Sequence, residues 1–246
     1  SRSTSSDPVV PRRSRDRRRR TAFCPREPTA GMSNTDAGAP DSPASITVYS
    51  DYVCPFCYLG RNVLTRFLED RDNDIDFDWH PFDLRAGKRN PDGSIDHDAD
   101  DGKDDDYYEQ ARENVRRLQE KYDIEMAQEL RTDVDSWNAQ QASLYVRAEH
   151  PDKWRDFDES LFDALWTEGQ DVGSPEVIQN LAEGAGLDSA ENGEATEDEE
   201  WSKRLENAHR EAKQKGVTGV PTFEYDGHAA RGAVPPEQLE RLVSPS

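Results

Sequence analysis

Cys54-Pro55-Phe56-Cys57 places two of the chain's three cysteines with only two residues between them. They follow an apolar run, Ile46-Thr47-Val48-Tyr49, that reads as a strand, and they open a stretch that reads as an amphipathic helix. At a helix N-terminus, unpaired backbone N–H groups and the macrodipole favour a thiolate over a thiol, so the first cysteine becomes a nucleophile near neutral pH. The spacing brings the second sulfur back within bonding distance, so a mixed disulfide can be resolved internally. The chemistry implied is thiol–disulfide exchange. The same spacing is half of a structural zinc site, but no second pair follows, and His80, His97, His150, His209 and His228 are scattered without ligand spacing. A purely structural bridge is disfavoured because so short a loop stabilises little. Cys24 lies in an Arg/Pro/Ser-rich leader and reads as incidental.

Three other groups of side chains invite chemistry. Asp51, three residues before Cys54, is either a proton acceptor for the dithiol or a buried acid that caps its turn. His80 closes the second strand and either approaches the sulfurs or packs elsewhere. Asp96, Asp98 and Asp100 have the alternate spacing of a calcium loop, but Asp101 stands where glycine is needed and Tyr107 where glutamate is needed. A solvated acidic loop is the better reading of that stretch.

The elements that must hold the dithiol follow from periodicity. Strand one spans Ile46 to Ser50, and the first helix runs from Pro55 to about Asp70 with Leu59, Val63, Leu64, Phe67 and Leu68 on one face. Pro55 suits its first turn, where a missing N–H costs nothing. Ile75 to Phe82 alternates Ile75, Phe77, Trp79 and Pro81 on one side, as a strand does, and an acidic loop over 86–106 follows. Helical patterns occupy about 107–122, 138–149, 152–168 and 174–186, with Ser174 as the expected cap of the last, and a further helix spans about 197–215 and ends at Gly216. Pro221 to Tyr225 is a short strand, Asp226-Gly227 a hairpin turn, Ala229–Gly232 its partner strand, and Pro236 to Val243 a closing helix. This order defines an α/β chain, a thioredoxin fold with a large inserted all-helical subdomain. The core is expected over 45–100 and 200–246, with the insertion at 101–199.

Composition limits the partners. The 246 residues carry a net charge of −21. Residues 1–31 hold nine arginines against Asp7, Asp16 and Glu27, which leaves 22 basic and 49 acidic residues in the remainder. Such acidity repels nucleic acid and anionic membranes and is the kind of surface a high-salt cytoplasm favours. No stretch reaches the ~18 apolar residues of a membrane span. Arg12-Arg13 hints at a twin-arginine signal, but no apolar segment follows it, so the expectation is a cytoplasmic protein. Residues 1–44 lack apolar periodicity and are expected to be disordered; because Met32 opens an ordinary start, 1–31 read as an upstream translation artefact.

Two separated motifs, Ser50-Asp51-Tyr52-Val53-Cys54-Pro55-Phe56-Cys57-Tyr58-Leu59-Gly60 and Gly216-Val217-Thr218-Gly219-Val220-Pro221-Thr222-Phe223, resemble the active-site and cis-proline segments of DsbA-like oxidoreductases. Trp79-His80-Pro81-Phe82-Asp83-Leu84 narrows the resemblance to the FrnE-like cytoplasmic branch, and the composition points to a haloarchaeal type. The resemblance implies that Cys54 attacks, Cys57 resolves, and Pro221 is a cis-proline whose neighbour Val220 presents its backbone to an extended substrate. It also implies a protein disulfide oxidoreductase acting on protein thiols and disulfides, with a redox partner and no organic cofactor. Phe56 replaces the histidine of strongly oxidising periplasmic relatives, so extreme oxidising power does not carry over. The alternative on the same fold is a 2-hydroxychromene-2-carboxylate isomerase or kappa-class glutathione transferase, with glutathione bound. A non-catalytic binding module is the third reading.

Overall fold

Strand β1 (Ala44–Ser50) lies at the heart of a four-stranded sheet because both its edges are paired. On one side it runs parallel to β2 (Ile75–Pro81), from Ala44 opposite Ile75 to Ser50 opposite Pro81. On the other it is antiparallel to β3 (Thr222–Tyr225), with Val48 opposite Phe223. Strand β4 (His228–Arg231) completes the order β2-β1-β3-β4. The computed structural model describes residues 44–71, 75–100, 102–127 and 130–244. The leader and Cys24 therefore lie outside the described residues. Strand β1 begins at Ala44, two residues before the expected start, because Ala44 and Ser45 still pair with β2 although both are exposed.

The parallel β1–β2 pair needs a crossover, and α1 (Pro55–Glu69) supplies it. Its apolar face, Leu59, Val63, Leu64 and Phe67, is buried, and Pro55 occupies the first turn as expected. In β2 the alternation of Phe77, Trp79 and Pro81 puts those three inward. Among the described residues six α-helices separate β2 from β3, the first five being α2 (Asp105–Tyr122), α3 (Trp137–Glu149), α4 (Trp154–Trp166), α5 (Pro175–Gly184) and α6 (Ser189–Glu197). Helix α7 (Glu199–Gln214) packs on β2 and α3, and Gly216, at φ 80°, ends it in the left-handed conformation. Asp226 and Gly227, at φ 47° and 76°, form the expected two-residue hairpin turn between β3 and β4. Helix α8 (Pro236–Val243) closes the chain with Leu239 and Leu242 buried.

Two local expectations need correction. Helix α6 was absent from the periodic pattern because its sequence, Ser-Ala-Glu-Asn-Gly-Glu-Ala-Thr-Glu, has almost no apolar stripe. Its start is set by Asp188, whose carboxylate accepts from the Ala190 and Glu191 N–H groups, and only Asn192 and Ala195 are buried. Ser174 does stand at the start of α5, but its hydroxyl makes no capping bond; Pro175 in the first turn is the effective start signal.

The helical block is tied to the sheet by buried polar bonds around Tyr52. The Tyr52 oxygen lies 2.8 Å from both Ser143 Oγ and Asp158 Oδ1. With one proton to give, it donates to the carboxylate and accepts from the Ser143 hydroxyl, which itself accepts from Trp154 Nε1. Asp158 also accepts from Arg61 of α1, at 3.1 Å, and Trp166 Nε1 donates to the Tyr52 carbonyl at 2.8 Å.

Candidate active site

Backbone geometry delivers Cys54 to the helix start. The chain leaves β1 at Ser50 and turns so that Cys54 N–H donates to the Asp51 carbonyl at 3.1 Å. Cys54 then takes the N-cap position of α1 in an extended conformation, and its carbonyl accepts from the N–H groups of Cys57 and Tyr58 at 3.0 and 3.2 Å. Its sulfur makes no capping bond, which leaves it available for chemistry. Both Cys54 and Cys57 are free thiols. Only Cys54 borders a cavity of about 530 Å³, whose lining includes Phe56 and Val220; Cys57 is sealed beneath it at 1% exposure. Burial, and then the adjoining Cys54 sulfur, push the Cys57 thiol well above its ordinary value, against a small opposing effect from the Asp51 backbone N–H.

Val220 and Pro221 come to the dithiol from 166 residues away: the Cys54 thiol donates to the Val220 carbonyl at 3.6 Å. The Val220–Pro221 peptide bond is cis. Their approach to α1 depends on Gly60, where a Cβ would stand 3.1 Å from Pro221 Cγ and 3.2 Å from Phe223 Cζ. The Pro221 carbonyl accepts from Gly232 N–H at 2.8 Å, which anchors the segment to the end of β4.

Asp51 is fully buried and acts as a cap and a clamp. Oδ1 accepts from Val53 N–H at 3.2 Å and from the Ser136 hydroxyl; Oδ2 accepts from Leu84 N–H at 2.8 Å. Burial pushes its carboxyl up to about 6, with the Ser136 and Leu84 bonds opposing that rise. Ser136 in turn accepts from Gln140 Nε2 at 3.0 Å, and Gln140 Oε1 meets His209 Nε2 at 2.9 Å. His209 is held neutral by burial, which lowers it to about 4.

His80 does not join the site. Its ring lies 4.7 Å from the Tyr49 ring, and Nδ1 is 3.1 Å from the Pro81 carbonyl. The acidic loop holds Asx turns rather than a metal cage: Asp96 and Asp100 accept from the N–H groups of Asp98 and Gly102. Among the described residues no group of three or more His, Cys, Asp or Glu is placed to hold a metal ion.

The cavity lining adds residues that sequence reading passed over, Arg85, Lys88, Lys103, Tyr108 and Arg131, beside Asp100 of the acidic loop and Tyr107. A local signal existed, since Arg85-Ala86-Gly87-Lys88-Arg89 is a basic cluster in an otherwise acidic stretch.

A sheet of order β2-β1-β3-β4, a dithiol at the first helix N-terminus, a proline beside it and helices inserted after β2 define the thioredoxin class in its DsbA-like form. The DsbA-like thioredoxin domain matches residues 45–244, and the chain belongs to that family. The YwbO protein of Bacillus subtilis is 28% identical over 208 residues, covering 81% of this chain and 95% of that one. A probable DsbA oxidoreductase from Streptomyces coelicolor superposes with a TM-score of 0.66 at 19% identity, over 82% of this chain and 88% of its own. A 2-hydroxychromene-2-carboxylate isomerase superposes with a TM-score of 0.64 at 19% identity, over 80% and 92%. At those identities the two structures share a fold with this chain and nothing more specific.

Proposed function

We propose that the protein is a thiol–disulfide oxidoreductase in which Cys54 attacks and Cys57 resolves. The observation that carries this reading is the asymmetry of the pair: one sulfur borders the cavity beside Val220, and the other is buried behind it with its proton held. Cys54 thiolate attacks a substrate disulfide, its new bond to one substrate sulfur replacing the substrate S–S bond. Cys57 then gives up its proton and attacks Cys54, releasing the second substrate thiol and leaving Cys54–Cys57 oxidised. Run backwards, the same steps oxidise substrate thiols. The two sulfurs carry both electrons, so the chemistry calls for a redox partner and no organic cofactor.

The Val220 carbonyl and the Pro221 segment would receive an extended substrate chain, because a strand end beside a nucleophile offers backbone groups for pairing. The Trp79–Leu84 phrase supports the FrnE-like branch, and with it a cytoplasmic home; the acidic composition supports a high-salt one. No helix among the described residues is long and apolar enough to cross a membrane.

Because the fold is shared with an isomerase, the test must separate the two chemistries. Insulin reduction by the intact protein should fall at least about a hundredfold in Cys54→Ser, as loss of a covalent nucleophile requires. Full insulin reduction by Cys54→Ser would falsify the oxidoreductase reading. Isomerisation of 2-hydroxychromene-2-carboxylate that survives Cys57→Ser would favour the other chemistry, which has no use for a resolving thiol.

A further inference from the structure

The chain is strongly acidic overall, yet among the described residues the cavity beside Cys54 is lined by four basic side chains, Arg85, Lys88, Lys103 and Arg131, against one acid, Asp100. Arg131 is engaged by Asp133, at 2.9 and 3.0 Å, and by the Gly169 carbonyl. Arg85 differs. Its Nη2 donates to the Arg131 carbonyl at 2.7 Å and its Nε is buried without a partner; the Asp133 carboxylate that holds Arg131 also feels the Arg85 charge, but among the described residues no carboxylate is bonded to this guanidinium. Arg89, four residues on, shows what pairing looks like here: it holds Asp83 and Asp135 together. A buried donor without a partner is costly, and a ligand that accepts from it removes the cost.

We propose that this cavity selects substrate disulfides that carry a carboxylate close to the reacting sulfur, with Arg85 as the group that receives it. The inference rests on the oxidoreductase reading and adds a substrate class to it. The cavity, about 530 Å³, has the volume of a small-ligand site and is lined by both the attacking sulfur and the guanidinium. A guanidinium binds a carboxylate through parallel N–H bonds, and a cleft with an excess of basic side chains attracts an incoming anion. A small thiol and an acidic side chain next to a cysteine in a protein segment both present such a carboxylate; the chemistry is the same.

The test uses the full chain, reduced beforehand, in a single turnover that needs no recycling reductant. Each protein gives two electrons to one substrate disulfide, ends as the Cys54–Cys57 disulfide, and releases two substrate thiols, whose appearance is timed. Two matched pairs are compared: disulfides of a blocked cysteine peptide flanked by Glu or by Gln, and oxidised glutathione against its carboxyl-esterified form. The net charge of the chain alone makes the acidic member of each pair slower, so the opposite order isolates the cavity. The expected result is about a tenfold preference for the acidic member in at least one pair, the scale of one charge-assisted bond pair. A preference in the peptide pair identifies a protein segment as the source, and one in the glutathione pair a small thiol. That ratio should collapse to about one in Arg85→Met and be partly kept in Arg85→Lys. Equal rates within both pairs, or a preference unchanged by Arg85→Met, overturn this inference and leave the oxidoreductase reading standing. No thiol release from any substrate overturns both.

Discussion

At the scale of single residues, the site works by unequal surroundings of similar groups: both cysteines are buried, but of the two Cys54 alone lines the cavity. Cys54 and Cys57 have the same chemistry in isolation; the cavity wall gives one of them access and the protein interior holds the proton on the other. Asp51 shows the same principle on a carboxyl. In the unfolded chain it titrates near the ordinary 3.8, and in the fold at about 6. Below 3.8 it is protonated in both states. As pH rises, the unfolded chain ionises first, so stability falls until the folded group ionises too, near 6, and the loss then stays constant at about 3 kcal/mol. Asp51→Asn cannot ionise. Relative to that variant, the natural protein should lose about 3 kcal/mol between about pH 4 and pH 7, read from urea denaturation at a series of pH values. A constant stability difference across that range would show that burial does not perturb Asp51. A buried Asp51 was one of the readings the sequence offered, but its partners were not legible there, since Ser136 and Leu84 reach it from 85 and 33 residues away.

At the scale of elements, the decisive contact is α1 against β3. Gly60 sits on α1 three residues after Cys57, and its missing side chain lets the helix lie on Pro221 and Phe223. Gly60→Ala gains about 1 kcal/mol of helix propensity but forces contacts at 3.1 and 3.2 Å onto a proline ring and a buried phenylalanine, neither a flexible chain end. Overpacking of that kind costs typically about 1–3 kcal/mol, so the variant should be less stable by up to about 2 kcal/mol in thermal or urea unfolding. A more stable Gly60→Ala protein would mean that α1 and the Pro221 segment are not in close contact. Elements with strong stripes were readable from sequence: α1 by its apolar face, β2 by alternation, α8 by the pattern of Leu239 and Leu242. Helix α6 was not, because its start is set by an acidic cap and Ala195 is its one buried apolar residue, which leaves no periodic trace. The dithiol and the proline segment were legible because each is a local motif. The basic wall of the cavity was legible only in part: Arg85 and Lys88 share one basic cluster, but Lys103 and Arg131 come from separate stretches and meet them only in the fold.

At the scale of the molecule, the helical block and the sheet share buried polar bonds through Tyr52, which hydrogen-bonds both Ser143 and Asp158 while its carbonyl receives Trp166. Removing the hydroxyl in Tyr52→Phe leaves the two buried partners short of a bond, at a cost of about 1–3 kcal/mol. Because the bonds cross between the two parts, unfolding followed by far-UV and near-UV dichroism should remain one coincident transition, shifted to lower urea. Separate transitions in the two signals would mean that the parts fold independently. The same arrangement sets α1, with its dithiol, on a rigid support.

The most direct test of the central claim is covalent. The Cys57→Ser protein, mixed in reduced form with an excess of a peptide disulfide, is analysed by intact mass and peptide mapping. A two-thiol exchange mechanism predicts one peptide adduct per chain, mapped to Cys54 and persistent, where the natural protein under the same conditions resolves it to the Cys54–Cys57 disulfide. Absence of the adduct, or its appearance at a site other than Cys54, contradicts the assignment of Cys54 as nucleophile and Cys57 as its resolving partner.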